Sequence, residues 1–168
     1  MRFLLLLIVL YTKSVVGQDC YITLQDTLSE MKIMKGLISE KILTKESSFT
    51  WMQTDLSSYA PDTILVQRIK EHQDSLHFII FAGTWCEDSH YILPRLFKLI
   101  HTAKIPVEKV SLLGVDRNKK TLGFFTESFL IGRVPTIIIM LKGREAGRVI
   151  EYGKYGNIEK DISEILQL

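Results

Sequence analysis

At 168 residues, 46% of them apolar by type and 24% charged, the chain has the size and composition of one folded domain, which excludes a disordered or low-complexity polypeptide. Its formal charge is only +2, with 21 basic against 19 acidic side chains, so it lacks the concentrated positive field that phosphate-backbone binding needs, and no nucleic acid is expected as a partner. Two cysteines, Cys20 and Cys86, are too few for a disulfide framework and leave either one bridge or a reactive Cys86.

The chain opens with MRFLLLLIVLYTKSVVG, in which Arg2 precedes an apolar run from Phe3 to Tyr11 and small or branched residues, Val15 and Gly17, stand where a signal peptidase reads. The run is too short to span a bilayer, so residues 1–17 are expected to be a cleaved secretory signal, with no stable membrane insertion afterwards. Asp19 before Cys20 argues against lipidation. Cleavage removes Arg2 and Lys13, which brings the basic count down to 19, equal to the acidic count. The mature protein is then exported, periplasmic or secreted, and meets an oxidising compartment.

From Thr23 to about Lys45, Leu24, Leu28, Met31, Met34, Leu37, Ile38 and Ile42 recur at intervals near three and four. That spacing predicts an amphipathic helix, or two broken near Gly36, so residues 18–60 are expected to be an N-terminal helical extension to a main domain at 61–168. Pro61-Asp62 opens a helix from Thr63 to His72. LHFIIFA, Leu76 to Ala82, reads as a strand buried on both faces. A helix from about Cys86 to Ala103 contains Pro94, which removes an interior hydrogen bond and is expected to kink it. Lys109 to Val115 is a second buried strand, Asp116 to Phe129 a turn and short helix, and Thr136 to Leu141 a third strand entered through Pro135. Lys142-Gly143-Arg144 turns the chain into an antiparallel strand, Ala146 to Tyr152, and Ile158 to Leu168 closes as an amphipathic helix. The order β-α-β-α-β-β-α predicts an α/β fold with a central mixed β-sheet flanked by helices.

One stretch carries chemistry: GTWCEDSH, Gly83 to His90. Cys86 stands where a helix begins, and unpaired N–H groups together with the helix dipole favour a thiolate there. Trp85 supplies an apolar wall. Ser89 stands where a second cysteine would complete Cys-x-x-Cys; its hydroxyl can donate a hydrogen bond to a thiolate but cannot form a disulfide. Glu87 and Asp88 favour the helix start yet oppose negative charge at Cys86, so the thiolate is expected to be less favoured than beside neutral residues. His90 either assists as an imidazolium or is a partly exposed helix residue turned away from the thiol. His72, His77 and His101 have no ligand spacing, and Cys86, Asp88 and His90 lie too close along one turn to enclose a metal, so no metal and no other cofactor is expected. Cys20 is either a remote resolving thiol or an unremarkable terminal cysteine.

Residues 62 to 168 resemble the thioredoxin family. The resemblance rests on Trp85-Cys86 after a buried strand, Pro94 eight positions on, Val115-Asp116 at the end of the next strand, and Ile131-Gly132-Arg133-Val134-Pro135-Thr136 before an apolar strand. It implies a thioredoxin-like fold, a cis Val134–Pro135 bond facing the cysteine, and a substrate-binding role for Val134 and Pro135 toward an extended peptide. GTWCEDSH, LLGVDR and GREAGRVIE are similar to a subgroup of exported bacterial thioredoxin-like proteins, of Bacteroidetes above all. Two departures from the family pattern go together: Ser89 replaces the resolving cysteine, and Ile80 stands where the family carries a buried Asp that serves that cysteine. The resemblance with these departures implies monothiol thiol-disulfide exchange through Cys86 with a protein or small thiol/disulfide partner. The alternative is a redox-inactive binding or chaperone-like module on the same fold.

Overall fold

The computed structural model describes residues 20–167; the expected signal peptide, residues 1–17, lies outside them. Six strands form one sheet in the order β1-β2-β4-β3-β5-β6. The strands are β1 (Tyr21–Gln25), β2 (Lys32–Ile38), β3 (Leu76–Ala82), β4 (Val110–Gly114), β5 (Thr136–Leu141) and β6 (Arg144–Ile150). Only β3 and β4 run parallel; every other neighbouring pair is antiparallel. The helices are α1 (Glu40–Lys45), α2 (Thr63–His72), α3 (Glu87–Thr102), α4 (Phe125–Ser128) and α5 (Ile158–Ile165). Among the described residues, no helix is long and apolar enough to cross a membrane.

The expected helix from Thr23 to Lys45 is corrected by the structure. Residues 21–38 form a β-hairpin that adds two strands to the sheet, and only Glu40–Lys45 is helical. The reason is local and long-range at once. Asp26 builds the turn: its carboxylate accepts from Leu28 N–H at 3.3 Å and from the Ser29 hydroxyl, and its own N–H donates to Met31 O at 2.8 Å. Farther along, Gly36 faces Gly114 across the β2–β4 pairing. A Cβ on Gly36 would lie 2.4 Å from Cys20 O, and one on Gly114 would lie 2.2 Å from Met34 O, so β1 closes on β2 only because Gly36 lacks one, and β2 reaches β4 only because Gly114 does. The N-terminal segment is thus built into the sheet and does not form a helical layer beside it.

Alternation along β3 divides the core. Phe78, Ile80 and Ala82 point to one face, where they pack with Leu65 and Ile69 of α2, Leu93 and Leu96 of α3, and Ile158 and Ile162 of α5. Phe81 points to the other, with Leu113, Val115, Val134 and Ile138, against which Trp85, Cys86, Phe129 and Ile131 pack. The helix through Pro94 is continuous, with Pro94 buried on its inner face. Each strand and helix expected between Thr63 and Ile165 is present, with ends moved by a few residues.

Candidate functional site

Cys86 is the N-cap of α3, with φ −101° and ψ 120°. Ser39, Asp62 and Asn157 close the starts of α1, α2 and α5 with a side-chain oxygen, whereas Cys86 makes no such bond. The first-turn N–H groups of α3 therefore remain available to negative charge at the sulfur. The half-buried thiol donates to Val134 O at 3.4 Å, and the Val134–Pro135 bond is cis. Immediately beyond, Pro135 O accepts from Glu151 N–H at 2.7 Å, which fixes the cis-proline loop against the end of β6.

The fold is thioredoxin-like. Its signature is this pairing of a helix-starting cysteine with a cis-proline loop on the sheet β4-β3-β5-β6. No protein-family model and no curated protein matches the chain. Among solved structures it is similar to a protein of unknown function from Pseudomonas aeruginosa, at 16% identity over 79% of this chain and 84% of that one, with a TM-score of 0.46. An HIV epitope scaffold is similar at 16% identity over 79% of this chain and 85% of that one, also with a TM-score of 0.46. Oxidised mitochondrial thioredoxin 3 of Saccharomyces cerevisiae is similar at 21% identity over 66% of this chain and 99% of that one, with a TM-score of 0.40.

The other residues singled out in the sequence take distinct places. Ser89 is fully buried, and its hydroxyl accepts from Gly83 N–H at 3.3 Å, tying the first turn of α3 back to the loop before it. Glu87 is exposed. Asp88 bonds the phenol of Tyr152, which is pushed up by desolvation first and then by that carboxylate; Tyr152 also lies 5.7 Å from Tyr91, ring to ring. His90 Nε2 lies 2.8 Å from Thr84 O, and since a carbonyl only accepts, that nitrogen carries a proton. The ring stacks on Trp51 at 4.4 Å, so His90 joins the 3₁₀ turn Thr50–Gln53 to the loop before α3. Ile80 is fully buried in the core shared with α2 and α3. Cys20 is exposed beside β1, and it is not joined to Cys86 by a disulfide. Among the described residues, no three His, Cys, Asp or Glu side chains are placed to hold a metal.

Thr84, Arg117 and Asp26, which the sequence did not single out, complete the site. Thr84, 3% exposed, donates to Lys32 O at 2.9 Å and accepts from Met34 N–H at 3.1 Å, so β2 holds the loop that carries Trp85 and Cys86. Trp85 Nε1 donates to Val115 O at 2.9 Å, and its ring lies over Gly83, where a Cβ would stand 2.7 Å from it. The guanidinium of Arg117 lies 4.9 Å from the centre of that ring, and Asp26 grips it with both oxygens. Asp26 and Ser29, three apart between apolar residues, carried a turn signal in the sequence; nothing local connected that turn to Arg117.

Proposed function

We propose that the chain is an exported bacterial thioredoxin-like protein that performs monothiol thiol-disulfide exchange through Cys86. The observation that supports this reading is the position of Cys86 Sγ, at the uncapped start of α3 and 3.4 Å from Val134 O beside the cis Pro135. A thiol placed there adjoins the backbone of the cis peptide itself, as an extended disulfide partner requires.

The exchange balances without a second protein thiol. The Cys86 thiolate attacks one sulfur of a partner disulfide, forming a mixed disulfide and releasing the other sulfur as a thiolate that takes up a proton. An external thiol then attacks the partner sulfur of the mixed disulfide and frees Cys86. The protein begins and ends reduced, and the partner sulfur leaves joined to the external thiol. Ser89 takes no part in resolution: its hydroxyl is bound to Gly83 N–H.

A second reading, a redox-inactive binding or chaperone-like module, draws on Phe124 and Leu130, 81% and 84% exposed on the segment that leads into the cis-proline loop. The two are separated by trapping thiols with an alkylating agent in the native compartment, followed by mass mapping of Cys20 and Cys86. Exchange is expected to give Cys86 mixed disulfides that vanish completely in Cys86→Ser. Cys86 found always as an unmodified thiol, with partner binding unchanged in Cys86→Ser, would establish the binding module instead. A Cys20–Cys86 bridge would replace the monothiol cycle by a dithiol one.

A further inference from the structure

The N-terminal hairpin touches the site through charge as well as through Thr84. On the elements packed around Cys86, the titratable and charged groups are Glu87, Asp88 and His90 on α3, Tyr152 after β6, the Arg133–Glu151 pair at 3.0 Å between the cis-proline loop and the end of β6, and, after β4, Asp116 paired with Lys35 at 2.7 Å, Arg117 and Lys119. Both cations lie over the Trp85 ring, at 4.9 Å for Arg117 and 5.7 Å for Lys119. Of the two, Arg117 is fixed by the hairpin. Its Nε donates to the Asp26 oxygens at 3.0 and 2.9 Å, and its Nη2 donates to Asp26 Oδ2 at 2.6 Å and to Ser29 Oγ at 3.3 Å. Asp26 itself is only 4% exposed, so the fork sits on a buried carboxylate. Arg117 is held more basic than usual, by its bonds to Asp26 above all and, as a smaller contribution, by negative charge on Cys86.

We propose that Asp26 and Arg117 are positioning residues for Cys86: the hairpin holds the guanidinium on Trp85, and that fixed cation offsets Glu87 and Asp88 at the thiolate while locking the tryptophan wall beside it. The proposal rests on the exchange reading above, and it explains why a hairpin outside the shared core is latched to the loop after β4. A flat guanidinium covers an aromatic face and bonds a carboxylate with its edge at the same time, which an ammonium cannot do.

The test uses the full chain with Cys20→Ser, so that Cys86 alone reacts, and compares Arg117→Gln, Arg117→Lys and Asp26→Asn. The readouts are the rate of Cys86 alkylation by iodoacetamide against pH and the 19F resonance of Trp85 in 5-fluorotryptophan protein, assigned with Trp51→Phe. Arg117→Gln is expected to slow alkylation at neutral pH at least about threefold and move its pH midpoint upward, with the difference shrinking in high salt. Arg117→Lys keeps most of the rate but shifts the Trp85 resonance, and Asp26→Asn shifts that resonance and lowers the rate less than Arg117→Gln. An unchanged alkylation profile in Arg117→Gln overturns the proposal. If that variant does not fold, an unchanged Trp85 resonance in both others overturns it. Alkylation needs only the thiol, so absent mixed disulfides with a profile that follows Arg117 would sink the exchange reading alone, while abundant mixed disulfides with a profile that ignores Arg117 would sink only this one.

Discussion

The two faces of the sheet are covered to different depths. On one, α2, α3 and α5 lie over Phe78, Ile80, Ile137 and Ile139, and these four side chains have no exposure at all. On the other, the segment from Asp116 to Arg133, whose only helix is the four residues of α4, covers Phe81, Leu113 and Ile138, and it leaves Phe124, Phe125 and Leu130 largely in water. Trp85 and Cys86 pack at the margin of this thinner layer. Cys86 thus lies at the edge of the layer where few contacts have to open to expose it, while the thick layer holds the sheet still beneath it.

The largest expected effect tests that division directly. Phe78→Ala opens a cavity between three helices and the sheet and is expected to cost about 3–5 kcal/mol of unfolding free energy in urea titration. Phe129→Ala removes a half-buried ring that meets Phe81 at 5.7 Å, and it is expected to cost only about 1–2 kcal/mol, because the thin layer can settle onto the gap. Equal costs would break the comparison. Amide exchange sharpens it, since protection is expected to be lost from Asp116–Arg133 before it is lost from α3.

A smaller effect is expected where the hairpin meets the site. Thr84→Val keeps shape but removes the hydroxyl between Lys32 O and Met34 N–H, leaving both buried groups without that partner. The expected cost is about 1–3 kcal/mol, read by urea unfolding, with faster exchange at the Met34 amide as its local mark. Unaltered Met34 protection would show that β2 does not hold the loop through Thr84.

The same two regions differ in how plainly the sequence announces them. LHFIIFA is legible as a strand because a strand buried on both faces needs no alternation, and α2 starts at Thr63 because Asp62 caps it through Leu65 N–H at 2.8 Å. Trp85 and Cys86 pack against Val134, whose bond to Pro135 is cis. The hairpin was illegible because Leu24, Leu28, Met34 and Leu37 keep helical spacing by accident: three of them are exposed at 40%, 77% and 49%, and only Met34 is buried. What forms the hairpin is the Asp26 turn and the Gly36–Gly114 approach to a strand far along the chain, and a local period contains neither. Arg117 was missed for the same reason, since its partners Asp26 and Trp85 are neighbours only once the sheet has formed.

The smallest expected effect concerns the charge that joins the hairpin to the thinner layer. Bonds from Arg117 first, and then from Ser29, hold the Asp26 carboxyl well below the usual carboxylate range. In the unfolded chain it titrates near about pH 4, so as pH falls through that value the unfolded state takes up a proton that the folded state still refuses. The folded state therefore loses ground on acidification, and the stability Asp26 contributes is complete above about pH 5 and fades below it. Asp26→Asn has no such proton to bind. Its melting temperature at pH 7 is expected to be lower than that of the parent chain, but its further drop between pH 7 and pH 3 is expected to be smaller, because the remaining acids titrate alike in both. Parallel melting curves for the two chains over that interval would mean that the Asp26–Arg117 pair adds nothing to folding in solution, and the hairpin would then be held to the site by Thr84, the Lys35–Asp116 ion pair and the β2–β4 pairing.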